Sequence, residues 1–579
     1  MKSNGQPRYF RLRVTLMGIL FIAGLGILLS RAAYLQVFRA PALAQKASGQ
    51  YERTIHTVGK RGTIFDTQMR ELAVSVESLS LTANPRLISD PRQTAKDLAP
   101  ILQMKRVTVQ RKLAADRRFV WIKRQITPRE VQAVRQLDLD GIDFIPEHSR
   151  YYPNRGLAAQ LVGFTGIDGT GLEGIEYQFD AELMGRRQIF TVLKDAFGRG
   201  FDTPDDIVRR DSGNNVVLTV DRTIQHVAER SLKQAVDIHQ AKSGMAVVMA
   251  PQTGDVLALA HYPFFNPNNF KKFSRETRRN RAVTDAFEPG STMKLFSAAA
   301  ALESGCCTPH TIFYCENGRY RIGTNVVHDT KKHGWLSLQR IVKFSSNIGA
   351  VKIGETIGPQ ALHRTLTHFG FGRRSGLPFP GETSGSMAPA RRWTRFDVGS
   401  VAFGQGISVS ALQLTAAVAA IANGGVLMQP RVVRAITDAH GRAIQEFKPR
   451  ANPRAVSPQT AAHIIRMMGL VVTEGGTGTQ ARLEGYTAGG KTGTAQKIGP
   501  AGTYAPDRYV SSFAGIAPLD HPRLAILVVL DEPRNEHYGG IVAAPVFRQI
   551  AQEVLGYLNV SPSPPALQMT VAHRREVTG

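Results

Sequence analysis

Cysteine is scarce, with three in 579 residues, and all three (Cys306, Cys307, Cys315) fall within ten positions of one another. Their arrangement with His310, Cys-Cys-x2-His-x4-Cys, is not a standard zinc-ligand spacing, so a structural metal site is not implied. In an oxidising compartment one disulfide and one leftover thiol are expected. Acidic residues are in deficit, 46 against 72 lysines and arginines, for a net charge of +26. No helix-turn-helix, finger or RNA-binding pattern accompanies that charge, which argues for a solvated basic surface and against nucleic acid. There is no low-complexity block, and the usual scatter of charge gives way near the start to a long apolar run.

That exception defines the beginning of the chain. Arg8, Arg11 and Arg13 precede an uncharged run from Val14 to Ser30, and apolar character resumes after Arg31 as far as Phe38. At about 1.5 Å per residue the stretch 14–38 crosses a bilayer, with Arg31 snorkelling outward and Tyr34 near the interface. Ala42-Leu43-Ala44 resembles a signal cleavage site but lies too far beyond the apolar core, so an uncleaved anchor is expected. The basic flank puts residues 1–13 in the cytoplasm as a short tail and everything after the anchor outside.

Residues 39–210 read as a non-catalytic pedestal. Arg61–Asp66 is a turn feeding the alternating run Leu72–Thr82, residues 90–140 look helical and charged, and glycines at 163, 166, 169, 171 and 174 punctuate a loop-rich end. A composition shift near 202–215 marks a boundary. Beyond it, residues 211–558 carry a strand (Asn215–Asp221), a helix (Ile224–His239), a hairpin from Ser243 to Ala260, a helical middle and two apolar strands (Tyr509–Ile516, Leu524–Leu530) before a last amphipathic helix. Strands at both ends with helices between predict an α/β (α+β) sheet domain covered by helices. Residues 559–579, Pro/Ser-rich and then basic, read as a disordered tail.

Chemistry concentrates at Glu288-Pro-Gly-Ser-Thr-Met-Lys294. Leu295, Ala298, Ala299 and Leu302 repeat at helical spacing up to Gly305, which places Ser291 near a helix start and Lys294 one turn on, on the same face. Ser291 is the only serine with a lysine three residues later. A serine needs a base to become a nucleophile, and a lysine with a lowered pKa supplies one. Ser345-Ser346-Asn347 offers a hydroxyl and an amide together. Gly489-Gly-Lys-Thr-Gly-Thr-Ala495 reads as an edge strand whose glycines admit a second backbone and whose Lys491, Thr492 and Thr494 suit a carboxylate.

Ser-x-x-Lys, Ser-x-Asn and Lys-Thr-Gly in that order form the signature of penicillin-binding proteins and serine β-lactamases. With Arg61–Asp66, Arg150–Pro153, Gly171–Glu176, Asn280–Thr292, Lys491–Lys497 and Tyr538–Phe547, the chain resembles class B penicillin-binding proteins, and among them FtsI-type division transpeptidases. The Cys306–Cys315 segment departs from that pattern. A Ser-His-Asp hydrolase is disfavoured because Pro289 and Met293 stand where Gly-x-Ser-x-Gly needs glycines. A β-lactamase lacks its Glu-x-x-Leu-Asn stretch. An elongation-type transpeptidase and a penicillin-sensing scaffold are the alternatives within and beyond the activity. His328-Asp329 reads as structural, with a cleft-lining role left open.

The resemblance implies a substrate, the peptidoglycan stem peptide ending in D-Ala-D-Ala, and no metal or organic cofactor. It implies Ser291 as nucleophile, Lys294 as base, Ser345 as proton relay, Asn347 as a donor-orienting group, and Lys491, Thr492, Gly493 and Thr494 at the terminal carboxylate. The backbone N–H groups of Ser291 and Thr494 would form the oxyanion hole, and Lys491 would repel a proton from Lys294. It also implies acylation of Ser291 by β-lactams, an amine acceptor on a neighbouring stem, a bacterial inner-membrane location with the catalytic domain in the periplasm, and contact with a SEDS-family glycan polymerase of the FtsW type and other divisome membrane proteins.

Overall fold

The computed structural model describes residues 8–44, 52–185, 187–193, 212–499 and 502–563. Residues 1–7 of the expected cytoplasmic tail and 564–579 of the expected disordered tail lie outside them, as does most of the expected boundary stretch. By contacts the chain divides into two units, Met1–Gly59 with Arg186–Ser212, and Lys60–Gly185 with Gly213–Gly579.

In the first unit, helix α1 (Arg8–Ala33) runs on as a π-helical turn over Tyr34–Phe38. Among the described residues this is the one helix long and apolar enough to cross a membrane. The guanidinium carbons of Arg31 and Arg39 stand 5.5 and 6.0 Å from the Tyr34 ring centre, so both cations pack on the ring expected at the interface. Farther on, Glu52–Val58 pairs antiparallel with Arg187–Leu193.

The second unit begins with the rest of the pedestal: β1 (Ile64–Phe65), β2 (Glu71–Ala83), α2 (Pro91–Ile101), α3 (Arg106–Leu113), β3 (Val120–Ile126), α4 (Pro128–Arg135) and β4 (Ile142–Tyr151). Asp90 caps α2 by accepting from the N–H groups of Arg92 and Gln93, and Thr127 with Glu130 forms a capping box on α4. Residues 90–140 are thus not all helical. Val120, Ile122 and Ile126 alternate at strand period, and β3 joins β2 as a sheet neighbour over a small core of Leu81, Leu98, Leu102, Val109, Leu113 and Ile122.

The remainder supplies β5 (Asn215–Leu218), α5 (Arg222–Ile238), β6 (Ser243–Ala250), β7 (Asp255–Tyr262), α6 (Lys294–Glu303), α7 (Leu338–Phe344), α8 (Asn347–His368), α9 (Ala411–Ala422), β8 (Val433–Thr437), β9 (Ala443–Glu446), α10 (Pro458–Val471), β10 (Gly489–Ile498), β11 (Tyr504–Ala517), β12 (Leu524–Asp531) and α11 (Ala544–Tyr557). Five strands form an antiparallel sheet in the order β7-β6-β12-β11-β10. Alternation along β6 sends Ala246 and Val248 into one core with α5 and α11, and Met245, Val247 and Met249 into another with α6 and α9. Every residue of α9 is buried, which is why that helix is apolar on all sides. Strand β10 is left at the edge.

A second sheet, in the order β9-β8-β5-β1-β2-β3 with β4 also paired to β2, runs through both modules. Its joint is the parallel pairing of β1 with β5, Ile64 opposite Val216. Three of the stretches that carry the family resemblance meet beside it. Arg61 Nε donates to Glu176 Oε2 at 2.7 Å, Arg150 Nε donates to Oε1 at 2.7 Å, and the Tyr152 hydroxyl reaches Oε1 at 3.2 Å. Glu176 is fully buried, with Arg61 and Arg150 at 5% and 3% side-chain exposure.

The expected disulfide is replaced by free thiols at Cys306, Cys307 and Cys315. Cys306 faces solvent after the end of α6, whereas Cys315 is fully buried with its Sγ 3.8 Å from the Phe313 carbonyl, so the two sulfurs occupy different surroundings. The start of the expected tail also lies against the body, with Tyr486 OH donating to the Val560 carbonyl at 3.0 Å and Ser563 N to the Gly485 carbonyl at 2.8 Å.

Two outcomes follow. Glu176→Gln leaves the buried Arg150 guanidinium without an anion and Arg61 with Asp180 alone, and costs about 3 kcal/mol. It is read as a lower denaturation midpoint, and an unchanged midpoint would refute the network's role. A thiol reagent added to the folded protein modifies one cysteine, Cys306, rapidly and the other two only on unfolding; three equally fast thiols would contradict the burial.

Candidate active site

The segment before Ser291 is shaped by close backbone approach. Gly290 has φ +54° and its N–H donates to the Gly404 carbonyl at 3.1 Å. A Cβ on Gly404 would stand 2.0 Å from the Gly290 carbonyl oxygen, so only glycine fits there. Gly290–Met293 forms a 3-10 turn, and the α-helix proper starts at Lys294. Ser291 therefore sits in the tightened turn ahead of α6, not in its first regular turn. Gly305, at φ +74°, ends the helix as expected.

Three elements bring the motifs together. Lys294, on α6, points its amine at Ser291 Oγ (2.8 Å), the Ser345 carbonyl (2.8 Å), Ser345 Oγ (3.2 Å) and Asn347 Oδ1 (2.7 Å). Ser345 lies between α7 and α8 with φ +61°, a left-handed conformation unusual for serine, which turns both its carbonyl and its hydroxyl toward Lys294. From β10, Lys491 Nζ donates to Ser345 Oγ at 2.9 Å and to the Thr492 carbonyl at 3.1 Å. Ser345 Oγ is therefore shared by both amines.

Both lysines are buried, at 1% and 0% exposure, while Ser291, Ser345, Asn347 and Thr494 are partly exposed above them. Desolvation lowers the Lys294 pKa to about 7, partly opposed by the Asp329 carboxylate. Lys491 is pushed well below its ordinary value, first by burial and then by the charge of Lys294. Burial, more than repulsion by Lys491, thus accounts for a neutral Lys294. A neutral amine in contact with Ser291 Oγ has a lone pair for the hydroxyl proton.

Strand β10 packs directly on the turn that carries Ser291. A Cβ on Gly493 would stand 2.3 Å from Ser512 Oγ and 3.0 Å from the Pro289 carbonyl oxygen, which explains glycine in the third motif by close approach. Thr492 Oγ1 donates to Thr477 Oγ1 at 3.0 Å, and the Gly539 N–H donates to Thr494 Oγ1 at 3.2 Å. Cavities of about 490 and 550 Å³ lie elsewhere, near Arg364 and His368 at the far end of α8 and between α5 and α11. The motif residues line the open edge of β10 instead, where an extended chain can be received.

Two features escape the sequence reading. Asp329, read there as structural, accepts from Ser346 Oγ at 2.6 Å, from the Ile348 N–H at 3.1 Å and from the Asn347 N–H, so it holds the second motif at the start of α8. Asn347, expected to orient the donor, has both ends of its amide engaged, Oδ1 by Lys294 and Nδ2 with the His328 carbonyl at 3.0 Å. Thr477 has only its Gly-Gly-Thr-Gly loop as a signal; Asp329 has none beyond its place between two motifs. Among the described residues no group of His, Cys, Asp and Glu is arranged to hold a metal.

A serine in contact with a buried lysine amine beside the open edge of an antiparallel sheet is the arrangement of a serine acyl-transfer site of the penicillin-recognising kind. Residues 244–552 match the penicillin-binding protein transpeptidase domain, and residues 56–218 match the penicillin-binding protein dimerisation domain. The chain belongs to the class B penicillin-binding proteins, which combine these two domains. It is 34% identical over 571 residues to the probable peptidoglycan D,D-transpeptidase PenA of Neisseria gonorrhoeae, covering 98% of this chain and 95% of the relative. It is 34% identical over 558 residues to the peptidoglycan D,D-transpeptidase FtsI of Escherichia coli K12, covering 94% and 92%. The crystal structure of penicillin-binding protein 3 of Mycobacterium tuberculosis complexed with aztreonam aligns with a TM-score of 0.69 at 29% identity, covering 88% of this chain and 99% of that one.

Asp329→Asn tests the site's electrostatics. The Asp329 charge raises the Lys294 pKa, so its removal lowers it. A base at Lys294 would work when neutral, and the rate limb would rise with pH through that pKa. Penicillin acylation by the variant should be slower, because the second motif loses its anchor, and its rising limb should move to lower pH. A slower rate with an unmoved limb would reduce Asp329 to a structural cap.

Proposed function

We propose that the protein is a septal-type peptidoglycan D,D-transpeptidase whose acyl-enzyme forms on Ser291. The observation that carries the reading is the 2.8 Å contact between Ser291 Oγ and the buried Lys294 amine, within a transpeptidase-family domain. Lys294 takes the Ser291 proton as Oγ attacks the penultimate D-Ala carbonyl. The backbone N–H groups of Ser291 and Thr494 receive the oxyanion, which exists only along the reaction path. The C–N bond then breaks, and the proton passes from Lys294 through Ser345 Oγ to the departing D-Ala amine. That oxygen contacts Lys294 at 3.2 Å and Lys491 at 2.9 Å, which suits a relay.

Lys491, Thr492 and Thr494 hold the terminal carboxylate, and Gly493 keeps β10 close to the nucleophile turn. Asn347 positions Lys294 through Oδ1 and reaches the donor peptide with Nδ2 only by leaving the His328 carbonyl. An amine from a neighbouring stem next attacks the ester, losing a proton and restoring Ser291. A β-lactam enters by the same attack and stays as the ester.

The anchor holds the protein in the bacterial inner membrane by a single span, with the catalytic domain in the periplasm. Partners are a SEDS-family glycan polymerase of the FtsW type and other divisome membrane proteins. The septal assignment is supported by the stretches Asn280–Thr292 and Tyr538–Phe547 and by the near full-length relationship to FtsI.

The test is labelling of the membrane-embedded protein by a fluorescent penicillin, followed by turnover of a D-Ala-D-Ala donor with an amine acceptor. Ser291→Ala should lose all covalent label, and Lys294→Ala should slow acylation by about 10³-fold. No label on the intact protein would overturn the nucleophile, and acylation without any turnover would favour a sensor or scaffold.

A further inference from the structure

The Cys306–Cys315 segment, which departs from the family pattern, leads into a two-stranded ribbon. Ile312–Tyr314 pairs antiparallel with Trp335–Ser337, with Ile312 opposite Ser337 and Tyr314 opposite Trp335. Alternation buries Phe313 and Leu336 and leaves Ile312, Tyr314 and Trp335 on the outer face. Ile312 is 63% exposed and Trp335 66%, the highest value among the described aromatic residues outside the membrane-length helix. The other two tryptophans, Trp121 and Trp393, are half-buried.

This exposed face is also ordered. The Tyr314 and Trp335 rings meet at 5.0 Å between centres, Asn317 Nδ2 donates to the Tyr314 hydroxyl at 2.9 Å, and the Cys315 N–H donates to the Gly334 carbonyl at 2.7 Å. Side chains already held in place lose little further freedom when a ligand covers them. Between the two strands of the ribbon, Arg319, Arg321, Lys331 and Lys332 are exposed and make no ion pair among the described residues. The acids of that stretch are committed elsewhere, Glu316 to Lys352 and Asp329 to the start of α8.

The patch is continuous with the catalytic centre. Trp335–Ser337 runs straight into α7, and His333 stacks on Phe344 at the end of that helix, with ring centres 5.4 Å apart, next to Ser345. Three strand steps and a seven-residue helix put Trp335 within about 20 Å of Ser345. Arg319 pairs with His328, whose carbonyl accepts from Asn347 Nδ2.

A sugar ring matches this surface. Its C–H face is apolar and its rim carries hydroxyls, so it can cover the negative face of an indole while the rim meets water and cations. Two exposed apolar side chains are too few for a stable protein interface, which buries about 800 Å² per partner. Peptidoglycan is a sugar chain bearing stem peptides, and the stem carboxylates complement the four unpaired cations. We propose that Trp335, backed by Tyr314 and flanked by the Arg319–Lys332 cations, is a glycan-binding platform. It holds the sugar chain of the polymer outside the cleft while the stems react. The inference rests on the transpeptidase reading for the identity of the polymer and adds a non-catalytic contact with it.

The experiment uses full-length protein in detergent, first acylated at Ser291 by penicillin so that the cleft is closed to stems. Affinity for insoluble peptidoglycan is read by co-sedimentation, with soluble glycan stripped of its stems as competitor. The intact protein should sediment and be released by the stripped glycan. Trp335→Ala should bind about tenfold more weakly, Trp335→Phe should recover most of that loss, and both should take a fluorescent penicillin at the unaltered rate. Combining Arg319→Gln with Arg321→Gln should weaken binding to the stem-bearing polymer and flatten its salt dependence. Binding that is undiminished in Trp335→Ala and is lost with salt alone would reduce the surface to non-specific charge and overturn the platform, as would an intact protein that does not sediment. A folded protein whose Ser291 takes no penicillin would sink the transpeptidase reading instead, and co-sedimentation of that unlabelled protein would still read the platform separately.

Discussion

Everything at the catalytic centre depends on keeping two primary amines out of water. An ammonium group is expensive to desolvate, and a protein commonly answers by neutralising it. Lys294 and Lys491 are both buried, on different elements, with one hydroxyl oxygen between them. Charging one amine opposes charging the other, so the pair favours a single shared proton over two. That condition makes a lysine competent as a base near neutrality. It requires α6, the turn before α8 and β10 to close over the amines simultaneously, since water reaching either one would restore its ordinary basicity.

The strain in the site follows from the same requirement. Ser345 offers its carbonyl and its hydroxyl to one amine only because its backbone is left-handed, at a cost of about 1 kcal/mol or more. Asp329 and the N-cap Ser346 hold that geometry from the outside by fastening the first turn of α8. The carboxylate thus has two opposed effects, fixing the second motif beside Lys294 while raising the proton affinity of that amine.

Much of this was readable before any coordinates. The three motifs, their order, the sheet strands around them and the membrane-length helix are local patterns, encoded by residues a few positions apart. Lys294 one turn after Ser291 is such a pattern, and so are the alternating apolar residues of β6 and β12. What stayed hidden involves partners distant in sequence. Arg61 and Glu176 are 115 positions apart, and no periodicity links them. The strand β3 was masked by helical charge patterning on both sides. Asp329 carried no signal because a carboxylate reads alike whether it caps a helix or faces water. The thiols were misjudged from compartment alone, since the fold leaves Cys306 exposed and Cys315 buried, which compartment does not reveal.

The parallel pairing of β1 with β5 has a genetic consequence. Two family domains are recognised in this chain, and β5, at the very end of the first, is hydrogen-bonded on one side to β1 and on the other to β8 of the second. Recombination that swaps everything after β5 between related genes would join a β5 from one parent to a β8 from the other, and would place Asp66 of one lineage against Arg222 and Thr67 against Val220 of another. Mosaic genes should therefore survive when both parents keep this seam alike, or when the crossover falls inside the catalytic segment and leaves the seam with one parent.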